Sequence, residues 1–256
     1  MSWRKIYDGI APQRVNKWLA GEGVCSRREA EELIAKGSVR IDGERVSDLG
    51  RKIVHGQTLE VSGASAMAQI SVVLNKPVGF VSAQPEGAQI PAARLLTRAN
   101  LVGVAAPMPS ARTSLAPLGR LDQDSRGLLL LSEDGVLARA VIGPQSLLDK
   151  EYLVRVEGRI DSKKLALLRH GLALDGRQLK PAKVSCVEPM LLRFILVEGR
   201  NRQIRRMCEL VDLGVIDLQR VRIGPLALND LPVGKWRALT ADERTALVRA
   251  SGAGAA

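Results

Sequence analysis

One stretch of the chain, LGRLDQDSRGLLLLSEDG (118–135), constrains the fold more than any other. Four consecutive leucines (128–131) directly follow a cluster of arginines and aspartates. A short apolar run bounded by turn residues is typical of a strand buried on both faces. The stretch therefore predicts a rigid strand that holds charged side chains at one end, where partner charges have to compensate them.

The charge balance predicts a polyanionic partner. The 256 residues include 38 lysines and arginines against 27 aspartates and glutamates, which gives a net charge of +11 and an isoelectric point near 10.1. An excess of this size is the electrostatic footprint of a nucleic-acid-binding protein. Residues 1–62 hold 11 basic and 9 acidic residues, so most of the excess belongs to the rest of the chain.

Composition also excludes several classes of protein. Cys25, Cys186 and Cys208 show no CxxC spacing, and with two histidines the chain has no zinc-binding pattern. We predict no metal and three reduced, buried thiols, as in an intracellular protein. No run of 18 apolar residues predicts a membrane span, and the start of the chain lacks the apolar core of a signal peptide. We therefore expect a cytoplasmic protein with no membrane partner.

Residues 1–62 are predicted to form a small unit of two helices and a hairpin. PQRVNKWLAGEG has helical apolar spacing, and SRREAEELIAKG predicts a second helix that begins with a capping box of Ser26 and Glu29. VRIDGERV predicts a hairpin that turns at Asp42 and Gly43, and QTLEV predicts a closing strand.

Residues 70–250 are predicted to form a larger domain of class α+β. After a small, polar linker over 63–69, four strand-like runs (ISVVLNK, GLLLLS, EYLVRVEG, LLRFILVEG) mix with three helix-like segments (DGVLARAVI, SKKLALLRHG, NRQIRRMCELV). The mixture predicts a mixed, mainly antiparallel sheet flanked by helices. The stretch 85–117 is predicted to be irregular, and 251–256 a disordered tail.

The first unit resembles an S4 RNA-binding domain, with its small α-L-like fold, over RVNKWLAGEGVCSRREAEELIAKGSVRIDGERV. The resemblance implies that the two helices present basic side chains to RNA phosphates, contacts that position RNA without reading its sequence. The alternative for each side chain is a solvated helix face. The candidates at matching positions are Lys17, Arg27, Arg28, Lys36 and Arg40.

The second unit resembles pseudouridine synthases of the RsuA-like family, and within that family it is most similar to the RluF-like enzymes. The matching stretches are LNKPVGFVS (74–82), GRLDQDSRGLLLLSEDG (119–135), KEYLVRV (150–156) and EGRNRQIRRMCE (198–209), in the family's order. The family isomerises uridine in RNA: the N1–C1′ bond breaks, the base turns, and C5 bonds to C1′. This reaction needs no redox change or energy input, so we expect no cofactor.

The resemblance assigns the catalytic carboxylate to Asp122, the aspartate of GRLD. Burial alone raises the pKa of a carboxyl group, so this acid needs a nearby cation to stay charged in a dry pocket. The family supplies that cation from RQIRR, and the matching residue is Arg205. Whether the carboxylate attacks C1′, attacks the base or removes a sugar proton stays open. Asp124 is assigned to structure, as a turn cap or an ion-pair partner.

The RQIRR segment is predicted to be a helix that begins near residue 201. Its core-facing side chains at helical spacing are Ile204, Met207, Cys208 and Val211. Arg202, Arg205 and Arg206 then project from another side, and we expect Arg202 and Arg206 to bind RNA phosphates. The alternative is an ordinary basic surface helix.

Three further residues are assigned through the resemblance. Arg120 would share a strand face with Asp122 and fill the space left by the flipped uridine; the alternative is a salt bridge to Asp122 or Asp124. Tyr152 would stack on the target base and assist proton transfer at C5; the alternative is a core tyrosine. Lys76, in NKPVG, would support the active-site loops or bind RNA.

Two other functions are alternatives to a pseudouridine synthase. A binding-only RNA chaperone would not need Asp122, Tyr152 and Arg205 together. A phosphatase-like enzyme would fit the DxD pair, but it needs a metal and further acids. For a synthase we expect a monomer acting on ribosomal RNA, first of all large-subunit (23S) rRNA, with 16S rRNA or tRNA as alternatives.

Overall fold

The computed structural model describes residues 3–22, 24–25, 27–62, 70–82, 85–103, 108–109, 113 and 115–252. In the described part of its N-terminal unit, two helices accompany a four-stranded antiparallel sheet and a two-stranded ribbon. The sheet has the order β1-β6-β3-β4, and β2 pairs with β5 in a separate ribbon. The elements are β1 (Trp3–Ile6), β2 (Gln13–Arg14), α1 (Val15–Gly21), α2 (Arg27–Ala35), β3 (Val39–Ile41), β4 (Glu44–Arg45), β5 (Lys52–Ile53) and β6 (Thr58–Val61).

The predicted helices and hairpin of this unit are confirmed. Val15 and Leu19 of α1 and Ile34 of α2 are buried at helical spacing against the sheet. Asp42 and Gly43 both have positive φ, 51° and 85°, which is the geometry of a two-residue hairpin turn. Ser26, half of the predicted capping box, and the predicted linker 63–69 lie outside the described residues.

A mixed sheet is the frame of the second unit, as predicted. Within the described part of the chain it has nine strands, in the order β15-β16-β12-β17-β11-β7-β19, with β10 beside β11 and β18 beside β17. The elements are β7 (Ser71–Lys76), β8 (Phe80–Val81), β9 (Ile90–Pro91), β10 (Ala116–Pro117), β11 (Arg126–Ser132), α3 (Gly135–Ile142), β12 (Lys150–Glu157), α4 (Ser162–Arg169), β13 (Ala173–Leu174), β14 (Arg177–Gln178), β15 (Lys183–Glu188), β16 (Leu191–Leu196), α5 (Gln203–Glu209), β17 (Gly214–Ile223), β18 (Leu226–Ala227), β19 (Trp236–Ala238) and α6 (Ala241–Ala250).

The strand predicted from the leucine run lies in the middle of this sheet. The leucines 128–131 of β11 are buried on both faces, with at most 1% of each exposed. β7 pairs antiparallel on one side, and β17 pairs parallel on the other. Gly127 has a φ of 102°, and a Cβ there would collide with the backbone oxygen of Arg220, so a glycine is needed where β11 meets β17.

The sequence pattern did not reveal β17 or α6. β17 carries GVIDLQRVRI, in which the fully buried Arg220 takes a position that an apolar residue would mark in a typical strand. α6 has only one buried residue, Leu247, and therefore a weak apolar stripe. Ser251, placed by the sequence in a disordered tail, follows α6 and is fully buried, so the described fold continues to Gly252; residues 253–256 are not described.

The described part of the stretch 85–117, which was predicted to be irregular, holds only short elements, among them the two-residue strands β9 and β10. Two short 3-10 helices, Ala92–Leu95 and Arg98–Asn100, hold part of it on the sheet. The indole Nε1 of Trp236 on β19 donates a hydrogen bond of 2.8 Å to the carbonyl of Thr97. Residues 104–107, 110–112 and 114 lie outside the described part.

The two units have separate hydrophobic cores. One apolar cluster draws all its members from residues 3–61, and three others draw theirs from residues 70–248. Between the units, the guanidinium of Arg139 on α3 donates hydrogen bonds to the carbonyls of Ala20 and Gly21 at the C-terminal end of α1. A cation at that end of a helix interacts favourably with its dipole.

Because the cores are separate, a chain reduced to residues 70–252 should fold by itself. It should bind RNA more weakly, since it lacks the exposed lysines and arginines of the N-terminal unit. In a plot of the logarithm of the binding constant against the logarithm of the salt concentration, the slope should be less steep for the fragment. We expect a decrease of about 0.7–0.9 for each phosphate that the fragment no longer neutralises. Circular dichroism and RNA binding at several salt concentrations test this; an insoluble or molten fragment would show that the units depend on each other.

Candidate active site

A cavity of about 460 Å³ lies beside the charged end of β11. Its walls are the loop 119–125, the end of α3, the start of β12, the segment 196–205 that leads into α5, and the middle of β17. Asp122, Tyr152 and Arg205, the three residues assigned to catalysis by resemblance, all line it. The fold therefore brings together residues that lie 83 positions apart in the chain.

The loop 118–125 is not a strand, so the prediction that Arg120 and Asp122 share a strand face is wrong. Backbone and hydroxyl hydrogen bonds hold the loop instead. The hydroxyl of Ser82 donates to the carbonyl of Leu121 (2.7 Å) and accepts from its N–H (2.9 Å). The N–H of Gly79 donates to the carbonyl of Gln123 (2.8 Å). The loop thus presents Asp122 from a fixed backbone.

Asp122 is half-buried and faces the cavity. Among the described residues, its carboxylate accepts no hydrogen bond and forms no ion pair. Its charge acts on two neighbouring cations. It opposes the lowering of the Lys76 pKa by burial, and it adds to the hydrogen bond with Asp124 that raises the pKa of Arg202. A carboxylate that is surrounded by positive charge, yet free of protein donors, is available to a substrate.

Arg205 compensates Asp124 rather than Asp122, which corrects the prediction. Its Nε lies 3.2 Å from Oδ2 of Asp124, its Nη2 donates to the Asp124 carbonyl (2.7 Å), and its Nη1 donates to the carbonyl of Val215 (3.2 Å). The turn at 123–124 places the second aspartate, not the first, over α5. The assignment of Asp124 to an ion pair is confirmed.

Arg202 completes this ion-pair cluster. Its Nη2 donates to Oδ2 of Asp124 at 2.8 Å. Burial raises the pKa of Asp124, but the hydrogen bond from Arg202 and the charges of Arg205 and Arg202 outweigh that effect and lower it below its usual range. Asp124 is therefore charged at neutral pH and ties the loop to the start of α5.

The predicted apolar face of α5 is confirmed, although the helix begins at Gln203 rather than near 201. The predicted core residues are all buried: Ile204, Met207, Cys208 and Val211. Arg206 points away from the cavity and forms a double hydrogen bond to Asp175, at 3.0 and 2.6 Å. The structure thus brings Arg202 and Arg205 to the site and leaves Arg206 outside it.

Lys76 has no exposed surface, so the prediction that it binds RNA directly is wrong for this structure. Its Nζ donates to the carbonyl of Pro77 at 2.9 Å. Burial lowers its pKa from 10.5 to about 8, although the charges of Asp124 and Asp122 act in the opposite direction. Lys76 is thus a buried cation beneath the two aspartates, which agrees with the alternative that it supports the active-site loops.

Arg120 and Tyr152 stand on two walls of the cavity. Arg120 is exposed, and no salt bridge joins it to any residue that the structure describes, so the alternative of a bridge to Asp122 or Asp124 is wrong. Tyr152 is half-buried on β12, opposite Phe194 of β16, and contacts two core clusters. It therefore combines a core position with a ring that lines the cavity.

In the described part of the chain, four cations that line the cavity were not singled out from the sequence: Lys150, Lys180, Arg200 and Arg220. Arg220 is 1% exposed, and its guanidinium donates to the carbonyls of Leu128 (2.8 Å), Gly119 (2.8 Å) and Arg120 (3.3 Å). A buried arginine in a strand has the sequence appearance of an exposed one, so no pattern signalled it. Lys150 stood in the quoted KEYLVRV motif, two residues before Tyr152.

The five S4-like candidates are all exposed: Lys17, Arg27, Arg28, Lys36 and Arg40. Arg40 donates to the carbonyl of Gly43 at 2.9 Å, and Lys36 lies 3.9 Å from a Glu32 carboxylate oxygen. Neither contact takes the charge out of solvent. The structure therefore leaves this set accessible to a polyanion.

The thiols differ from the prediction in one case. Cys25 and Cys208 are buried, whereas Cys186 is exposed on β15; all three are free. Burial raises the pKa of both buried thiols to about 12. Among the described residues, no group of three or more histidines, cysteines and acids could hold a metal ion. No helix in the described ranges is both long and apolar enough to cross a membrane.

Comparisons with known proteins agree with this geometry. A model of the RNA pseudouridylate synthase family matches residues 70–210, and a model of the S4 domain matches 13–59. The dual-specificity RNA pseudouridine synthase RluF of Salmonella typhi is 37% identical over 235 residues, covering 90% of this chain and 76% of that protein. The ribosomal large subunit pseudouridine synthase B of Bacillus subtilis is 34% identical, covering 90% and 93%.

A crystal structure of a pseudouridylate synthase superposes with a TM-score of 0.64 at 25% identity, covering 91% of this chain and 99% of that one. The chain therefore belongs to the RNA pseudouridylate synthase family, in its RsuA-like group with an S4 domain. The resemblance read from the four motifs is confirmed, as are the fold class and the type of enzyme.

The buried ammonium of Lys76 should leave a signature in the pH dependence of stability. Its folded-state pKa, about 8, is lower than its ordinary value of 10.5. The unfolded chain therefore binds more protons between these pH values, and stability gains from this residue as pH rises through the window. Below pH 8 the penalty for the buried charge is present in full.

Denaturant unfolding of the wild type and Lys76→Met at pH 7.5, 9 and 10.5 tests this expectation. The wild type should gain stability relative to the variant across the series. Lys163→Met, which removes an exposed lysine on α4, is the control and should run parallel to the wild type. If the stability of Lys76→Met also changes with pH in parallel with that of the wild type, the pKa of Lys76 is not lowered by burial.

Proposed function

We propose that this enzyme converts a specific uridine of large-subunit ribosomal RNA to pseudouridine, with Asp122 as the catalytic carboxylate. The reaction type follows from the family. The proposal for the RNA target is supported by the Bacillus subtilis relative, whose name specifies the ribosomal large subunit. The observation that carries the proposal for the site is the carboxylate of Asp122, which faces the cavity and accepts no hydrogen bond from the described part of the chain.

The residues around Asp122 divide the remaining work. The target base has to leave its stack, because C1′ and C5 are inaccessible inside it. Arg120 is exposed at the cavity and unpaired among the described residues, so its guanidinium can take the vacated place. The ring of Tyr152 offers a face on which the flipped uracil stacks. Arg205 positions the loop through Asp124 and leaves Asp122 free for the nucleotide.

Positive charge around the cavity supplies the attraction for RNA. Arg120, Lys180 and Arg202 are exposed on its rim. Phosphate contacts from such side chains position the RNA, and the exposed candidates of the S4 domain add further contacts: Lys17, Arg27, Arg28, Lys36 and Arg40. Because every wall of the described cavity comes from one chain, we propose that the enzyme acts as a monomer. We also propose that it meets its RNA in the cytoplasm, since its three cysteines are free thiols.

We propose residues 1–62 as the RNA-binding domain and 70–250 as the catalytic domain. The match of the S4 model to 13–59 and the separate cores support this division. A second RNA target has to be included in any assay, because the Salmonella relative is named a dual-specificity enzyme. Transfer RNA and small-subunit rRNA are the alternatives to test.

The purified protein should form pseudouridine in a large-subunit rRNA transcript, and Asp122→Asn should form none. The variant should bind the same RNA and melt at nearly the same temperature, because the Asp122 side chain makes no hydrogen bond that the fold needs. Site-resolved pseudouridine detection on large-subunit, small-subunit and transfer RNA transcripts measures the first effect. An active Asp122→Asn would mean that the acid is misassigned, and modification of another RNA alone would overturn the proposed target.

A further inference from the structure

The cations that line the described cavity differ in their surroundings, and Arg120 and Lys180 are exposed to solvent. Arg202 and Arg205 are paired with Asp124, and Nε of Arg200 lies 3.6 Å from a Glu198 carboxylate oxygen. On the opposite wall, Lys150 and Arg220 line the cavity without a carboxylate within salt-bridge distance in the described part of the chain. This wall therefore keeps an uncompensated positive charge, which is costly in a partly desolvated place unless an anion binds there.

Arg220 supplies charge but no free donor. Its Nε, Nη1 and Nη2 all donate to backbone carbonyls, and the residue is 1% exposed. It therefore shapes the wall and raises the local potential, and it is not itself a group that binds a ligand.

Lys150 has free donors. Its Nζ has one contact among the described residues, to the carbonyl of Leu148 at 3.5 Å, which is the outer limit for a hydrogen bond. An ammonium group has three N–H donors, so at least two have no acceptor in the ranges that the structure describes. A Cβ atom added to Gly119 would lie 3.8 Å from Cε of Lys150, so the lysine side chain runs along the loop that carries Asp122. Burial lowers the pKa of Lys150, and the charge of Arg220 lowers it further.

The position of Lys150 relates it to the base rather than to the RNA backbone. Lys150 and Tyr152 are two residues apart on β12, where the pairing with β16 is regular, so their side chains share one face of the strand. Lys150 is half-buried, whereas Lys180, another lysine of the same cavity, is exposed. A group that stacks on Tyr152 would thus lie beside the Lys150 ammonium, inside the rim.

We propose that Lys150 is a further catalytic residue, whose ammonium binds a carbonyl oxygen of the target uracil and stabilises the negative charge of the detached base. This inference rests on the proposed function. When the N1–C1′ bond breaks, its electron pair stays with the uracil. C5 then bonds to C1′, the proton on C5 leaves to a base, and N1 gains a proton. Lys150 stays protonated throughout and acts by electrostatic stabilisation.

Single-turnover kinetics with saturating enzyme tests the proposal on an RNA that the wild type modifies. Lys150→Met should slow the saturated rate by about 10²–10³-fold, as the removal of one preorganised donor does. The dissociation constant for the RNA should stay at the wild-type value, and the melting temperature should not fall. Lys150→Arg should be faster than Lys150→Met because it keeps the charge. Lys163→Met, far from the cavity, is the control for removal of one positive charge.

The other outcomes overturn the proposal. A weaker RNA affinity with an unchanged saturated rate would make Lys150 a phosphate contact. Equal rates for Lys150→Arg and Lys150→Met in folded proteins would show that its charge has no role. If Lys150→Met melts at a lower temperature than the wild type, Lys150→Gln replaces it in the comparison with Lys150→Arg. Because the wild type is active on the chosen RNA, each failure concerns Lys150 and leaves the proposed function standing.

Discussion

The geometry of the site depends most on the hydrogen bonds that the buried guanidinium of Arg220 donates. It joins the carbonyls of Gly119 and Arg120, in the loop before Asp122, to the carbonyl of Leu128 in the central strand. A buried cation without a carboxylate partner is retained only when several acceptors satisfy it. The buried leucines of β11 hold the Leu128 carbonyl in place, so Arg220 fixes the loop relative to the sheet.

The two aspartates of the loop have separate tasks. Asp124 forms ion pairs with Arg202 and Arg205 at the start of α5 and thereby holds the loop against that helix. Asp122 has no hydrogen-bond donor among the residues that the structure describes, and the charges of Lys76 and Arg202 lie near it. This arrangement keeps positive charge near the reactive carboxylate and leaves its oxygens to the nucleotide. A direct pair between Arg205 and Asp122 would occupy the group that has to react.

Much of this was predictable from the sequence, because strongly patterned segments fold as their patterns indicate. The leucine run, the two N-terminal helices and the Asp42-Gly43 turn have local physical causes. The contacts of Arg205 and the burial of Lys76 depend on how a turn is oriented in three dimensions, which no spacing encodes. β17 was missed because a fully buried arginine breaks the apolar alternation that marks a strand.

The most direct test of the account is pseudouridine mapping of ribosomal and transfer RNA in cells that lack this gene and carry it back as wild type, Asp122→Asn or Asp124→Asn. We expect one large-subunit rRNA site to disappear with the gene and the wild type to restore it fully. Asp124→Asn, which loosens the loop but keeps the reactive acid, should restore it in part, and Asp122→Asn should not restore it. Restoration by Asp122→Asn, with none by Asp124→Asn, would contradict the assignment of the two acids.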